Sequence, residues 1–223
     1  MNKNLNILIV DDHPMLVDGY CLIFNNLMDG YSFNIYCAYN CEEAYKIINQ
    51  NSKLKNEIDI ALLDVSLPPY KEEKIFCGGD LAIVFKDRFP SSKVVMITMH
   101  DEGIIIDKIV SKVNPEGFLN KSDISFETFS EVFETILSGE KFFTETINKS
   151  LKELNNKKFG FDSIDYEIIS LLEKGIKTKD LPNYIPITLS AIEKRKVKIK
   201  FQVLNHSGND DELIKKVKDL NLL

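Results

Sequence analysis

Three short apolar runs, each ending at a polar residue, constrain the fold of this chain most strongly. The runs are Ile7–Val10, Ile60–Leu63 and Val94–Ile97, and each is continuous instead of alternating with polar residues. Such runs are typical of strands that are buried on both faces, as in a parallel sheet covered by helices on both sides. Weaker strand patterns at 33–38 and 117–119 bring the expected number of strands to five.

Amphipathic patterns between these runs predict the helices. Pro14 suits the first turn of a helix whose apolar face would include Leu16 and Leu27. Asn40 followed by Glu43 resembles a capping box that opens a second helix. Further helices are predicted at 80–88, 101–113 and 125–137. The alternation predicts a five-stranded, parallel, doubly wound (flavodoxin-like) α/β domain over residues 1–140.

The remainder of the chain has a different character. After a polar segment at 141–158, taken as a linker, residues 159–223 show only short helical patterns, which predicts a small all-α domain. The net charge of −6 argues against a chain that coats nucleic acid by bulk charge. Residues 158–223 nevertheless hold 12 basic and 10 acidic residues, net +2, while residues 1–157 hold 16 and 24, net −8.

Several classes of protein are not expected from the sequence. The four cysteines form no CxxC pair, which indicates reduced thiols and argues against disulfides and zinc. No apolar run approaches the roughly 18 residues of a membrane span. The N-terminus also lacks the apolar region of a signal peptide. We therefore expect a cytoplasmic protein without a membrane partner.

Polar residues with complementary chemistry follow the predicted strands. They are Asp11 and Asp12 after the first, Asp64 after the third, Thr98 after the fourth and Lys121 after the fifth. In open parallel sheets, ligands bind beyond the carboxyl ends of the strands, so these side chains are expected to converge. Each residue alone has an ordinary structural explanation, such as a helix cap or a solvated loop residue. The functional interpretation depends on all five lying at strand ends.

Three converging carboxylates would repel one another unless a hard divalent cation, most plausibly Mg²⁺, lies between them. One carboxylate could then act as a nucleophile toward a phosphoryl group. The hydroxyl of Thr98 and the ammonium group of Lys121 could bind the phosphoryl oxygens. The predicted chemistry is therefore formation of an aspartyl phosphate.

Four motifs carry a resemblance to a known family. They are IVDDHP at 9–14, LDVSLP at 63–68, ITMHD at 97–101 and GFLNK at 117–121. Over about residues 5–140 the chain resembles the receiver domain of two-component response regulators, and the first and third motifs are similar to the NarL/LuxR branch. The resemblance implies that Asp64 accepts phosphate from a cognate histidine kinase.

The resemblance also implies roles for other residues. Mg²⁺ would be held by Asp11, Asp12, Asp64 and the backbone carbonyl of Ser66. Thr98 would sense the phosphoryl group together with Lys121. Phe118 matches the family's aromatic switch position, whose ring changes orientation on activation; the alternative is an ordinary packed strand residue.

One departure from the family is the segment PYKEEKIFCGG at 69–79, which is longer than the usual receiver turn. Because it follows Asp64 closely, it could shape kinase docking or the lifetime of the phosphate. The alternative is a tolerated surface insertion.

The C-terminal region contains the pattern of a helix-turn-helix. Thr188 is suited to cap a helix with Ile192 and Ile199 on one face and a basic opposite face. Such a third helix is typical of a DNA reader, although the basic run could also be a solvated helix face. The predicted DNA-contacting residues are Thr188, Ser190, Lys194, Arg195 and Lys198.

Residues 161–199 resemble a LuxR-type domain, which implies binding to double-stranded DNA. Two residues depart from that pattern. Pro182 falls within the second helix, where proline is tolerated only in a first turn. Glu193 places a carboxylate where the family usually has a lysine that faces DNA.

The sequence thus predicts a two-component response regulator in which phosphorylation of Asp64 controls transcription through DNA binding, with a phosphorylation-dependent homodimer as the active form. It is not expected to be an enzyme, although it accepts a phosphoryl group and can release it by self-dephosphorylation. One alternative is a regulator whose helical domain binds protein instead of DNA. A haloacid dehalogenase-type phosphatase is disfavoured, because such enzymes usually carry a DxD nucleophile motif after the first strand.

Overall fold

The computed structural model describes residues 3–26, 30–220 and 222. The chain divides into two compact units, a first that ends at Ile147 and a second that begins at Asn148. The predicted division into 1–140, 141–158 and 159–223 places the limits differently and stays a prediction about domain boundaries.

A parallel sheet forms the centre of the first unit. Among the described residues it has six strands in the order β2-β1-β3-β4-β5-β6. The strands are β1 Lys3–Val10, β2 Tyr31–Ala38, β3 Ile60–Asp64, β4 Lys93–Thr98, β5 Gly117–Asn120 and β6 Phe142–Phe143. The α/β class and the order of the first five strands are confirmed. The sixth strand was not predicted, because two residues are too few to show a pattern.

Helices cover both faces of this sheet, as the continuous apolar strands require. Their bounds are α1 Pro14–Asn26, α2 Cys41–Lys53, α3 Gly78–Arg88, α4 Gly103–Val113 and α5 Phe126–Leu137. The next helix, α6 Glu145–Phe159, lies mostly in the second unit. Asn40 caps α2 by accepting a hydrogen bond from the N–H of Glu43. In α1 the predicted apolar face is partly wrong, because Leu16 is exposed while Val17 and Phe24 are buried. Leu27 lies outside the described residues.

The central strands carry the core. All five residues of β3 are buried, and Ile7 and Ile9 of β1 pack in one cluster with α1 and α5. Phe24 of α1 meets Phe133 of α5 edge to face, with ring centroids 4.8 Å apart. Burial of these strands fixes the carboxyl ends of β1, β3, β4 and β5 side by side.

The segment 141–158, expected to be a linker, instead contains β6 and most of α6. Its Lys/Asn-rich composition hides a helical spacing of buried residues, namely Ile147, Leu151 and Asn155. Asn155 donates a hydrogen bond from Nδ2 to the carbonyl of Leu220 at 2.9 Å. Tertiary contacts of this kind stabilise a helix whose composition gives little indication of it.

All secondary-structure elements in the described part of the second unit are helices. It contains α7 Ser163–Glu173, a 3₁₀ segment Thr178–Asn183, α8 Leu189–Leu204 and α9 Asp210–Asp219. The predicted Thr188 cap of α8 is confirmed, since its side chain accepts a hydrogen bond from the N–H of Ala191. Pro182 disfavours an α-helix in the second segment, because its ring would clash with the carbonyl of the residue four positions earlier. The core includes Ile168, Ile192 and Ile199.

Within the described parts of the chain, no helix has the length and apolar character needed to cross a membrane. All four cysteines are free thiols.

Candidate functional site

Two buried carboxylates and one ammonium group meet at the carboxyl edge of the sheet. Asp11 follows β1 directly, Asp64 ends β3 and Lys121 follows β5. Nζ of Lys121 lies 2.7 Å from Oδ2 of Asp11 and 2.9 Å from Oδ1 of Asp64. Because one nitrogen contacts both carboxylates, they lie within reach of a single small cation. Three of the five predicted strand-end residues are therefore in direct contact.

The charged groups of this cluster are largely shielded from solvent, which shifts their pKa values. Burial raises the pKa of Asp64, the Lys121 ammonium opposes that shift, and the neighbouring Asp11 adds to it. Burial lowers the pKa of Lys121, but the two carboxylates outweigh it and leave the pKa above its ordinary value. Lys121 therefore stays charged, whereas ionisation of Asp64 is less favourable than it would be in water. A group poised in this way is a candidate functional residue.

Asp12 and His13 complete an acidic group with Asp11. Single ligand atoms from these three residues lie within 4.8 Å of one another, a spacing that one metal ion could bridge. Nδ1 of His13 is 2.7 Å from Oδ1 of Asp12 and 3.1 Å from Oδ1 of Asp11. Carboxylate oxygens are the ligands that hard divalent cations prefer, so the donor set fits such an ion. His13 was not predicted as a member of this group.

Thr98 and Ser66 lie beside this cluster on neighbouring strands. Thr98 is buried at the end of β4, and its Oγ1 accepts a hydrogen bond from the N–H of His100 at 2.9 Å. Ser66 donates its N–H to Oδ2 of Asp64 at 3.0 Å, and its Oγ lies 3.0 Å from Nε2 of His100. The ligand role of the Ser66 carbonyl stays a prediction. The Ser66–His100 contact joins the β3 loop to the β4 loop beside Asp64.

A small cavity of about 190 Å³ opens between these residues. Its lining comprises Asp12, His13, Asp64, Ser66, Met99, His100 and Lys121. The cavity has room for a phosphoryl group, and its lining includes both the Asp64 carboxylate and the Lys121 ammonium group.

Phe118 lies in β5, opposite Met96 of β4, and is fully buried. Its ring meets that of Phe143 in β6 nearly at right angles, with centroids 6.2 Å apart. The structure thus shows an inward, packed ring. This orientation fits both the switch hypothesis and the ordinary packed-residue alternative, so the switch role stays a prediction.

Sequence reasoning missed the residues that hold the Lys121 loop. Asn120 accepts hydrogen bonds at Oδ1 from both the N–H and the hydroxyl of Ser122, and its own N–H donates to Oγ1 of Thr144. Thr146, at the start of α6, donates from its N–H and its hydroxyl to the Asp123 carboxylate at 2.9 and 2.8 Å. A threonine at the second position of a helix gives no distinctive sequence signal for a partner 23 residues earlier.

Four of the five predicted DNA-contacting residues are exposed. Thr188, Ser190, Lys194 and Lys198 are exposed at or along α8. Arg195 is instead used within the unit, where its Nη1 lies 2.7 Å from carboxylate oxygens of both Asp162 and Asp165. A contact between Arg195 and DNA would require these ion pairs to break, and it stays a prediction.

The exposed face of α8 is mixed in character. Val197 and Phe201 are largely exposed beside Lys194 and Lys198, and Glu193 lies on the same side of the helix. Lys196, in contrast, is buried, with Nζ 2.8 Å from Oδ2 of Asp210 in α9. The sequence alone could not separate the buried lysine from the exposed ones in the basic run.

Comparison with known proteins was made on both sequence and structure. The chain is similar to the oxygen regulatory protein NreC of Staphylococcus epidermidis, with 23% identity over 208 residues that cover 87% of this chain and 89% of NreC. It is also similar to the transcriptional regulatory protein RcsB of Escherichia coli K12, with 22% identity over 197 residues that cover 87% of this chain and 86% of RcsB.

The fold is similar to that of the RcsB response regulator of Salmonella typhimurium. That structure aligns over 98% of this chain and 99% of its own length, with a TM-score of 0.58 and 20% identity. At this identity the likeness establishes the fold alone.

A family model described as the response regulator receiver domain matches residues 7–131, which hold Asp11, Asp64 and Lys121. Because the match covers more than half of the 223 residues, the chain belongs to the response regulator receiver domain family.

Proposed function

We propose that this protein is a cytoplasmic two-component response regulator in which a histidine kinase phosphorylates Asp64 and thereby controls DNA binding and transcription. The observation that carries the proposal is the meeting of Asp64, Asp11 and Lys121 at the carboxyl edge of the sheet. The chain acts as a phosphoryl acceptor with slow self-dephosphorylation and not as an enzyme with turnover.

Asp11, Asp12, Asp64 and the Ser66 carbonyl would hold Mg²⁺. When bound, the ion would offset the carboxylate charges and supply Lewis-acid attraction for the phosphoryl oxygens. Lys121 then binds a phosphoryl oxygen with the ammonium group that now contacts Asp64. Loss of this contact from the Asp64 carboxylate leaves one of its oxygens free to attack phosphorus. The O–P bond would form as the P–N bond to the kinase histidine breaks, with that histidine as the leaving group.

Thr98 and Phe118 form the proposed switch. The Thr98 hydroxyl accepts from the His100 N–H, and it would reorient to donate to a phosphoryl oxygen. Movement of Thr98 alters the space beside β5, where Phe118 packs against Phe143. Phosphorylation would thereby shift the population between two packings of the same strands.

The second unit is the proposed DNA-binding part. Solved structures show RcsB bound to DNA, one of them with two RcsB dimers on two parallel DNAs. In this chain Thr188, Ser190, Lys194 and Lys198 are exposed at or along α8 and could reach a DNA groove or its phosphates. Because the unit carries little net charge, a phosphorylation-dependent homodimer is the proposed active form.

Phosphorylation is tested with acetyl phosphate and Mg²⁺. The wild-type chain should gain one phosphoryl group that alkali or hydroxylamine removes, detected by intact-mass spectrometry, and Asp64→Asn should gain none. The matched control is Asp18→Asn, because Asp18 is exposed on α1 and should not affect the yield. Undiminished phosphorylation of Asp64→Asn would refute the acceptor assignment.

A second candidate function is regulation through a protein partner. It is favoured by the engagement of Arg195 in ion pairs and by the exposed Val197, Phe201 and Glu193 on α8. Selection from a random duplex pool with the phosphorylated protein separates the two. Enrichment that weakens steeply with salt supports DNA binding, whereas no enrichment supports the protein partner.

A further inference from the structure

The long segment after Asp64 forms a defined loop with its own internal contacts. Tyr70 and Ile75 exchange backbone hydrogen bonds of 2.8 and 3.1 Å, and a 3₁₀ turn at Lys71–Glu73 closes the loop. The side chain of Ile75 is 1% exposed. The loop is therefore anchored in the first unit instead of being a loose surface insertion.

This anchoring holds Phe76 at the surface. Phe76 is 61% exposed, although the hydrophobic effect favours burial of such a side chain. Its N–H donates to Oδ2 of Asp80 in the first turn of α3 at 2.9 Å. The backbone thus fixes an exposed phenyl ring at one position, which is an arrangement typical of binding surfaces.

Phe76 stands at the rim of a groove between α3 and α4. The cavity there measures about 700 Å³, within the range of roughly 300–1,000 Å³ that is common for small-molecule sites. Apolar side chains form most of its lining: Val65, Leu67, Phe76, Ile83, Ile104, Ile105, Ile109 and Val113.

The groove also carries unpaired positive charge. Lys108 and Lys112 of α4 line it, and among the described residues neither has an ion-pair partner. The Asp80 carboxylate also lines the groove, but it accepts the Phe76 N–H. His100, at one end, lies 3.4 Å from Glu102. The charged groups that face an occupant are therefore the two ammonium groups and the Asp80 carboxylate, which together leave one positive charge in excess beside an apolar channel.

We propose that this groove binds a small amphipathic organic anion, with its apolar body against Ile105 and Ile109 and its anionic group at Lys108 and Lys112. The site is distinct from the acidic pocket around Asp64. The two cavities share Ser66 and His100, whose side chains are in contact at 3.0 Å. The proposal does not depend on phosphorylation or on DNA binding.

The test uses decanoate as the probe and the full-length, unphosphorylated protein in isothermal titration calorimetry. Wild type should bind one decanoate per chain. Phe76→Ala and Lys112→Glu should each weaken binding about tenfold, through lost apolar contact and lost charge attraction. Decanol, which has the same chain length without charge, should bind wild type several-fold more weakly than decanoate does.

Two matched substitutions act as controls. Phe201→Ala removes an equally exposed ring in the second unit, and Lys53→Glu reverses an exposed lysine in the last turn of α2, as Lys112 is in α4. Both should change decanoate affinity less than about twofold. Circular dichroism checks that each variant is folded, and Phe76→Ala should fold normally because the ring is mostly exposed.

Three results would overturn the proposal. The first is no saturable binding of decanoate by wild type. The second is equal weakening by the groove substitutions and by their controls, which indicates non-specific adsorption. The third is concentration-dependent self-association that Phe76→Ala and Lys112→Glu abolish in sedimentation experiments without probe, since a second copy of the chain would then cover the groove.

Discussion

Two charge clusters, one in each unit of this protein, have opposite ratios of carboxylates to ammonium groups. In the first unit the carboxylates of Asp11 and Asp64 share the single ammonium group of Lys121. In the second unit the ratio reverses at Asp210, which lies 2.8 Å from both Lys196 and Lys200. The first cluster leaves negative charge in excess, whereas in the second cluster two ammonium groups compensate the single carboxylate of Asp210.

This difference separates a binding pocket from a framework. Excess buried charge lowers stability until a ligand of opposite charge binds. Binding of a cation should therefore stabilise the first unit. Compensated charge stabilises one arrangement of helices and does not call for a ligand. The position of an ionised group within a motif therefore says less about its function than the balance of charge around it.

The largest effect is expected at Gly78, where α3 packs directly on the strand that carries Asp64. A Cβ atom at this position would lie 1.8 Å from the Asp64 carbonyl oxygen, so Gly78→Ala must displace backbone. We expect a loss of about 3 kcal/mol in the free energy of unfolding, together with reduced phosphorylation. Gly19→Ala, in the middle of α1 with open space around it, should instead stabilise by about 0.5 kcal/mol. Urea unfolding measures both, and equal effects would show that the pocket does not depend on this close approach.

An intermediate effect is expected at the ion pairs of the second unit. Asp210→Ala leaves the buried Lys196 without its carboxylate, and we expect a loss of about 2 kcal/mol, below the usual range because Asp210 is 37% exposed. Asp211→Ala removes a neighbouring acid from the same first turn of α9 and should cost less than about 0.5 kcal/mol. Hydrogen exchange of α9 measures the difference. Similar losses in both variants would mean that the helix dipole, and not the ion pair, accounts for the role of Asp210.

The smallest expected effect is a difference in how the stability of the two units depends on pH. Burial raises the pKa of Asp210, but Lys196 and Lys200 outweigh it and hold the pKa below its ordinary value. Its stabilisation is therefore present above about pH 4 and is lost as the pH falls through the lowered pKa. The raised pKa of Asp64 has the opposite sign, so its ionisation costs stability as the pH rises above about 4.

At neutral pH, without divalent cations, Asp210→Asn should thus destabilise the second unit and Asp64→Asn should stabilise the first. Both differences should shrink in acid. Hydrogen exchange of β3 and α9 as a function of pH measures them separately. Shifts of the same sign in both variants would contradict the proposed contrast in charge balance.

The sequence predicted the first unit well because its signals are local. Each apolar run ends immediately before its polar residue, so the run itself locates Asp11, Asp64 and Thr98. Burial then brings neighbouring strand ends together without further information. Lys121 could be placed in the same way, one residue beyond β5.

The second unit was harder to predict because its contacts are distant in sequence. Arg195 looks like an exposed base in a basic run, but its partners Asp162 and Asp165 lie about 30 residues earlier. Helix α6 was missed because its buried positions are few and its composition is polar. Side-chain pairing across helices leaves no periodic pattern, whereas strand burial does.

The bridge between Tyr70 and Ile75 also makes the protein a convenient starting point for a sensor. It closes the base of the loop, so residues inserted between them would lengthen the chain without shifting Gly78 or the backbone of Asp64. Loop-closure entropy rises slowly with length, by about 0.6 kcal/mol for each doubling. A peptide that carries a fluorophore could therefore be inserted at 72–73, close to the groove and to the site of phosphorylation.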